Sequence, residues 1–140
     1  MTNLKLDIMK EQNCSQQCLA TLYCEYCVRN YLKAKFSNWT SGNDDIDNLI
    51  QTCQMEALIP SKIVEWIPYD NLQNIKYLTE GGFSKIYTAD WISGSYWEWD
   101  SKERKLTREF EGRAQLVVLK RLENVENASH SWLEEVCNLN

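Results

Sequence analysis

Three features of the sequence predict an α+β fold. Residues 41–57, SGNDDIDNLIQTCQMEA, carry apolar side chains at helical spacing. From Asn74 the period shortens to two, with β-branched and aromatic residues on both sides of Gly81-Gly82. Residues 114–122, AQLVVLKRL, are a compact apolar run of strand length.

Composition sets the frame. The chain has 140 residues, 44% of them hydrophobic, enough for a core and too many for a disordered polymer. Its formal net charge of −5 argues against a nucleic-acid binder that relies on a basic face. No apolar stretch reaches the ~18 residues of a membrane span, and the polar N-terminus lacks the apolar region of a secretory signal. An intracellular, cytoplasmic setting is therefore expected. There the six cysteines are expected as thiols or metal ligands rather than disulfides.

The elements follow in order. Residues 1–13 are polar. Cys14, Cys18, Cys24 and Cys27 are spaced C-x3-C-x5-C-x2-C. Four thiolates within so short a stretch can surround Zn²⁺ tetrahedrally as a structural site, or can remain reduced thiols. Tyr31–Trp39 is aromatic and basic without a clear period. In residues 41–57, Ser41 or Asn43 can cap a helix, and Asp44, Asp45 and Asp47 suit its positive end. Ile46, Leu49, Ile50 and Cys53 share one face, where Cys53 reads as a core thiol, as does Cys137 further on. The aspartates lack the spacing of a calcium loop. Pro60 ends this element, and SKIVEWIPY (61–69) reads equally as one helical turn or as extended chain.

NIKYLTEGGFSKIYTADWI (74–92) reads as strand, turn, strand. Tyr96, Trp97 and Trp99 precede a charged stretch at Lys102–Lys105, which predicts a protruding second hairpin packed through its aromatics. AQLVVLKRL is expected as a strand covered on both faces. In SHSWLEEVCNLN (129–140), Ser131 and Glu134 fit a capping box that opens a last helix. His130, the single histidine, lies beside that helix start and is expected to cap or to be exposed.

The order of glycine turn, lysine-bearing strand and glutamate-bearing helix has a mechanical meaning. Glycines let backbone amides approach phosphate oxygens. A lysine on the adjoining strand can hold the phosphates, and a glutamate on the next helix can hold that lysine. LTEGGFSKIYTADW, LVVLK and WLEEV resemble the opening of a protein kinase domain. On the G-x-G-x-x-G-x-V pattern, Thr79 stands at the first glycine, Gly81 at the second and Ser84 at the third. Phe83 matches the loop tip and Ile86 the apolar residue after the loop. Lys120 matches the V-A-I-K lysine, with Val118 for its alanine. Glu135 is taken as the ion-pair partner, because Glu134 folds back in the capping box.

A narrower resemblance spans almost the whole chain. The cysteine-rich start, FSNWTSGNDDID, EWIPY, GGFSKIYTADW, the Trp-rich insert and LVVLKRL are together similar to a large family expanded in certain symbiotic fungi, the tyrosine-kinase-like (TKL) Ser/Thr protein kinases. The resemblance implies a small cysteine-rich, zinc-binding segment over 1–40, a helical linker over 41–73 and part of a kinase N-lobe over 74–140. That lobe should have three antiparallel strands and the beginning of its helix. The implied ligand is ATP, held by Leu78, Thr79, Gly81, Gly82, Phe83, Ser84, Ile86 and Lys120. The family's usual cysteine module has two C-x2-C pairs, so the x3 spacing here departs from it. No H-R-D or D-F-G motif occurs, so Mg²⁺ ligands and a catalytic base are missing, and the chain by itself is expected not to transfer a phosphoryl group. The expected partners are ATP and a protein surface, either a partner or a C-lobe, with no nucleic acid and no membrane. A second reading is non-catalytic: a zinc-knuckle and pseudokinase module that binds a partner. With later sheet strands lacking, an open edge and an exposed apolar face are expected.

Overall fold

The computed structural model describes residues 23–82, 84–110 and 112–122. These residues form an α+β structure with two helices and antiparallel sheets. They divide into two compact units. One takes in the chain as far as Trp66 and returns for Tyr96–Glu109; the other holds Ile67–Ser95 and the stretch from Phe110 onward.

The first unit begins with α1, Glu25–Lys33, capped by Cys24 in extended conformation. Cys27, Val28 and Leu32 recur on one helical face and are buried with Cys24. The sequence reading missed this helix. Its apolar face includes the two cysteines that the metal spacing had claimed.

The second helix, α2, runs Asp44–Glu56, where the helical spacing predicted it. Asn43 is the N-cap, and its side chain accepts from the amides of Asp45 and Ile46. Ser41 does a different job: its hydroxyl and amide, with the Thr40 hydroxyl, donate to the Asp47 carboxylate and tie the preceding loop to the first turn. Ile50 and Cys53 are buried on the apolar face. Cys53 is half of a disulfide, which corrects its reading as a core thiol.

The segment that could be read two ways is mixed. Pro60–Lys62 and Tyr69–Asn71 are single 3-10 turns, with non-helical chain between them. Gln54 donates its amide to the Val64 carbonyl at 2.8 Å and so fastens this chain to α2.

The Trp-rich insert forms β3 (Tyr96–Asp100) and β4 (Lys105–Arg108), an antiparallel pair. It does not protrude. Tyr96, Trp99 and Leu106 are buried in one cluster with Cys24, Cys27, Val28, Leu32 and Ile63. Tyr31 meets Trp99 edge to face at 5.7 Å. Only Trp97 of the three insert aromatics is left substantially exposed.

The second unit is a three-stranded antiparallel sheet of order β1-β2-β5, with β1 Leu72–Gly81, β2 Ser84–Trp91 and β5 Gln115–Leu122. Ala89 and Trp91 are buried on one face, and Tyr77 packs edge to face on Tyr87 across the same side. The chain leaves this unit at a fixed point. Ile92 donates its backbone amide to the Asn71 carbonyl, the Asn71 side-chain amide donates to Ser93 Oγ, and the Ser95 backbone amide donates to Gln115 Oε1. Gly94 sits there at φ +64, with Phe110 Cβ 3.1 Å from where its own Cβ would be, so a side chain is excluded twice over.

The strand AQLVVLKRL is not covered on both faces. Leu116 is 72% exposed and Val118 66%, while Val117 and Leu119 on the opposite face are half-buried. A continuous apolar run fits a strand covered on both faces and one covered on a single face equally well; among the described residues β5 is the outer strand of the sheet. Among the described residues no helix is long and apolar enough to cross a membrane.

Candidate functional site

The hairpin that carries the glycines is tight. Gly81 pairs with Ser84, leaving two residues between the strands. Gly82 lies at φ +59, the left-handed region required where so short a connection follows the strand twist. Gly81 is not in that region, and no atom lies within 4 Å of where its Cβ would be. Neither backbone conformation nor packing within the protein requires a glycine at position 81. Ser84 donates its hydroxyl to the Gly81 carbonyl at 3.3 Å, closing the turn.

Register brings three predicted site residues into one row. Thr79 pairs with Ile86, and Ile86 pairs with Lys120. Gly81, Ser84 and Leu122 form the second row on toward the turn, after Glu80, Lys85 and Arg121. Paired residues in adjacent strands share a face, and side chains alternate along each strand. Thr79, Ser84, Ile86 and Lys120 therefore stand on the same face, within two residues of the hairpin end. Val118 and Leu116 continue that face along β5. A register irregularity in β1 falls between Tyr77 and Thr79, so Leu78 is the unpaired residue and lies exposed. That bulge lets Thr79 share the Lys120 face while Tyr77 pairs with Tyr87 on the other. Lys120 and Thr79 are exposed, and Ile86 is half-buried. Lys120 is thus exposed on the outer strand of the sheet among the described residues, not on the buried strand the sequence suggested. Phe83 and Glu135, with Ser131, Glu134, His130 and Cys137, lie outside the described residues.

Of the cysteine set, Cys14 and Cys18 lie outside the described residues. Cys24 and Cys27 occupy the cap and first turn of α1, both buried. Among the described residues no group of three or more His, Cys, Asp or Glu side chains is placed to hold a metal ion.

The first unit holds a polar contact that the sequence reading missed. Arg108 donates both terminal guanidinium nitrogens to Glu65, at 2.8 and 3.1 Å, and stacks 3.9 Å from the Tyr96 ring centroid. Burial raises the Glu65 pKa, against the lowering by Arg108 and the Tyr96 amide. Burial also opposes the Arg108 charge, but the hydrogen bonds and charge of Glu65 outweigh it, and its pKa is raised. Tyr96 is pushed up to about 12 by burial and the Glu65 charge. The group is a two-pronged ion pair stacked on an aromatic ring. Residues 43 apart in sequence give no local signal of such a pair.

Comparison of the chain with protein-family models, with curated proteins and with solved structures gives no match.

Proposed function

We propose that the three-stranded sheet is a nucleotide-phosphate cradle of the protein-kinase type, part of a Ser/Thr kinase-like signalling protein that takes ATP. The observation that carries this reading is the row Thr79–Ile86–Lys120 beside the Gly81-Gly82 turn. A phosphate lying under the hairpin would meet the Lys120 ammonium from one strand and backbone amides of the turn from another. Gly81 adds support: the open space where its Cβ would project leaves the backbone accessible to a ligand. Ser84 supplies no free hydroxyl to the phosphates, because that hydroxyl closes the turn. The residues present supply phosphate binding and orientation. They supply no catalytic base and no magnesium ligands of the kinase pattern.

Tryptophan fluorescence titrated with ATP tests the reading. A saturable change that is lost in Lys120→Ala is expected. Lys120 is exposed, so the variant should keep its fold, and circular dichroism checks this.

A second reading is a non-catalytic zinc-knuckle and pseudokinase module that binds a protein partner. The burial of Cys24 and Cys27 together at the start of α1 favours it, since two ligands of a C-x2-C knuckle would then enter from one helix end. Metal analysis of protein purified without chelator should give about one zinc per chain. Metal-free protein with a native spectrum removes the zinc.

A further inference from the structure

Two ladders follow one another along the same pair of chain segments. The β2–β5 ladder ends where Trp91 faces Gln115, and the β3–β4 ladder begins where Tyr96 faces Arg108. The β3–β4 hairpin is thus an insert between two paired strands of the second unit, yet it belongs to the first. There Tyr96, Trp99 and Leu106 share a buried cluster with Val28 and Leu32 of α1, and Glu65 holds Arg108. The chain that joins the two ladders is itself held. The Ser95 backbone amide donates to Gln115 Oε1, the Arg113 backbone amide donates to the Phe110 carbonyl, and Gly94 leaves no room for a side chain beside Phe110. A displacement of the hairpin ends therefore meets little slack before it reaches β2 and β5.

We infer that the β3–β4 hairpin is a coupling device, through which the order of α1 controls the order of the β2–β5 ladder at the end where Trp91 faces Gln115. The route is covalent, from Ser95 into Tyr96 and from Arg108 back toward Gln115. While the hairpin is docked on α1, the Tyr96–Arg108 pair holds the two chain segments side by side and closes that end of the ladder. When the hairpin undocks, the clamp is lost and the last pairs of β2 and β5 fray. Docked and undocked are the two arrangements of one element that such coupling requires. Cys24 and Cys27, at the start of α1, lie in the docking cluster, so a ligand that orders or loosens this end of α1 acts on the sheet that carries Lys120. The inference stands on packing and connectivity and depends on neither zinc nor nucleotide.

Amide hydrogen exchange of the full chain, resolved by nuclear magnetic resonance, tests this. Leu106→Ala removes buried contacts of the hairpin, and Leu106→Val is the milder change should the first fail to fold. Exchange should speed up in α1 and, by about tenfold, at residues 89–91 and 115–117, with a smaller effect at residues 84–86. In a Gln115→Leu background, which lacks the hydrogen bond from Ser95, the effect of the Leu106 change on residues 89–91 should shrink. Faster exchange in α1 with residues 89–91 and 115–117 unchanged overturns the proposal. So does equal acceleration at both ends of the ladder, which is general unfolding, and so does an effect of the same size in the Gln115→Leu background. No acceleration in α1 itself removes the docking on which the inference rests and overturns it too.

Discussion

Lys120 stands directly across from Ile86 in the β2–β5 ladder, and Ile86 stands across from Thr79 in the β1–β2 ladder. The first and last of these are polar, and they flank an apolar residue two positions from a glycine turn. The bulge at Leu78 is what makes the row possible, because without it Thr79 would fall on the Tyr87 face.

The two glycines of the turn should respond differently to substitution. Gly82 is left-handed, so Gly82→Val should destabilise the second unit by about 1–2 kcal/mol, and Gly82→Asn by less. Gly81 has an ordinary conformation and open space, so Gly81→Ala should leave stability unchanged or raise it by a few tenths of a kcal/mol. In a phosphate cradle, the added methyl of Gly81→Ala weakens nucleotide binding all the same. Denaturant melts and ATP titrations of the same variants separate the two effects.

Arg108 joins Glu65 and Tyr96 within the first unit. Its removal strands a mostly buried carboxylate and loses the stack on the ring. Arg108→Ala should cost about 3 kcal/mol, and the double variant with Glu65→Gln should cost clearly less than the two single changes together. Additive losses in urea unfolding would show that the pair is not coupled.

Stability should depend on pH with opposite signs at two carboxyls. The folded pKa of Glu65 is raised, so its contribution is full below the ordinary value of 4.5 and is lost as pH rises through the folded value. The Asp47 pKa is lowered by its hydrogen bond from Ser41, then that from Thr40, so its contribution is present above 3.8 and lost as pH falls through the folded value. In thermal melts against pH, Glu65→Gln should flatten the slope just above pH 4.5. Asp47→Asn should remove part of the acid loss below 3.8. At the alkaline end, burial pushes Tyr23 and Tyr96 up to about 12. Their contribution is full below pH 10 and is lost as pH rises toward that value. In ultraviolet titration, Tyr23→Phe and Tyr96→Phe should therefore each lose a late-ionising phenol.

Elements specified by local pattern could be read from the sequence. The Asn43 cap and the Ile46, Leu49, Ile50, Cys53 face announce α2, and the Gly-Gly break announces the β1–β2 turn. What depended on distant contacts could not be read. The burial of Tyr96, Trp99 and Leu106 against Cys27, Val28 and Leu32 decides where the second hairpin goes, and no local period encodes it. The helix α1 had a legible face, but Cys24 and Cys27 were read for their spacing alone, as zinc ligands or reduced thiols, and not for the face they share with Val28 and Leu32. The exposure of Val118 depends on what packs on that face of the sheet, which an apolar run by itself does not reveal. In the candidate site, the spacing of Lys120 from the glycines was legible. Its row with Thr79 was not, because it depends on the bulge.

The most direct test of the central claim is calorimetric titration of the full chain with ATP, in parallel with Lys120→Ala. The account predicts saturable binding to the wild type and at least tenfold weaker binding to a variant with an unchanged spectrum and melting temperature. Equal affinity in the two proteins, or no binding to a folded wild type, would contradict it.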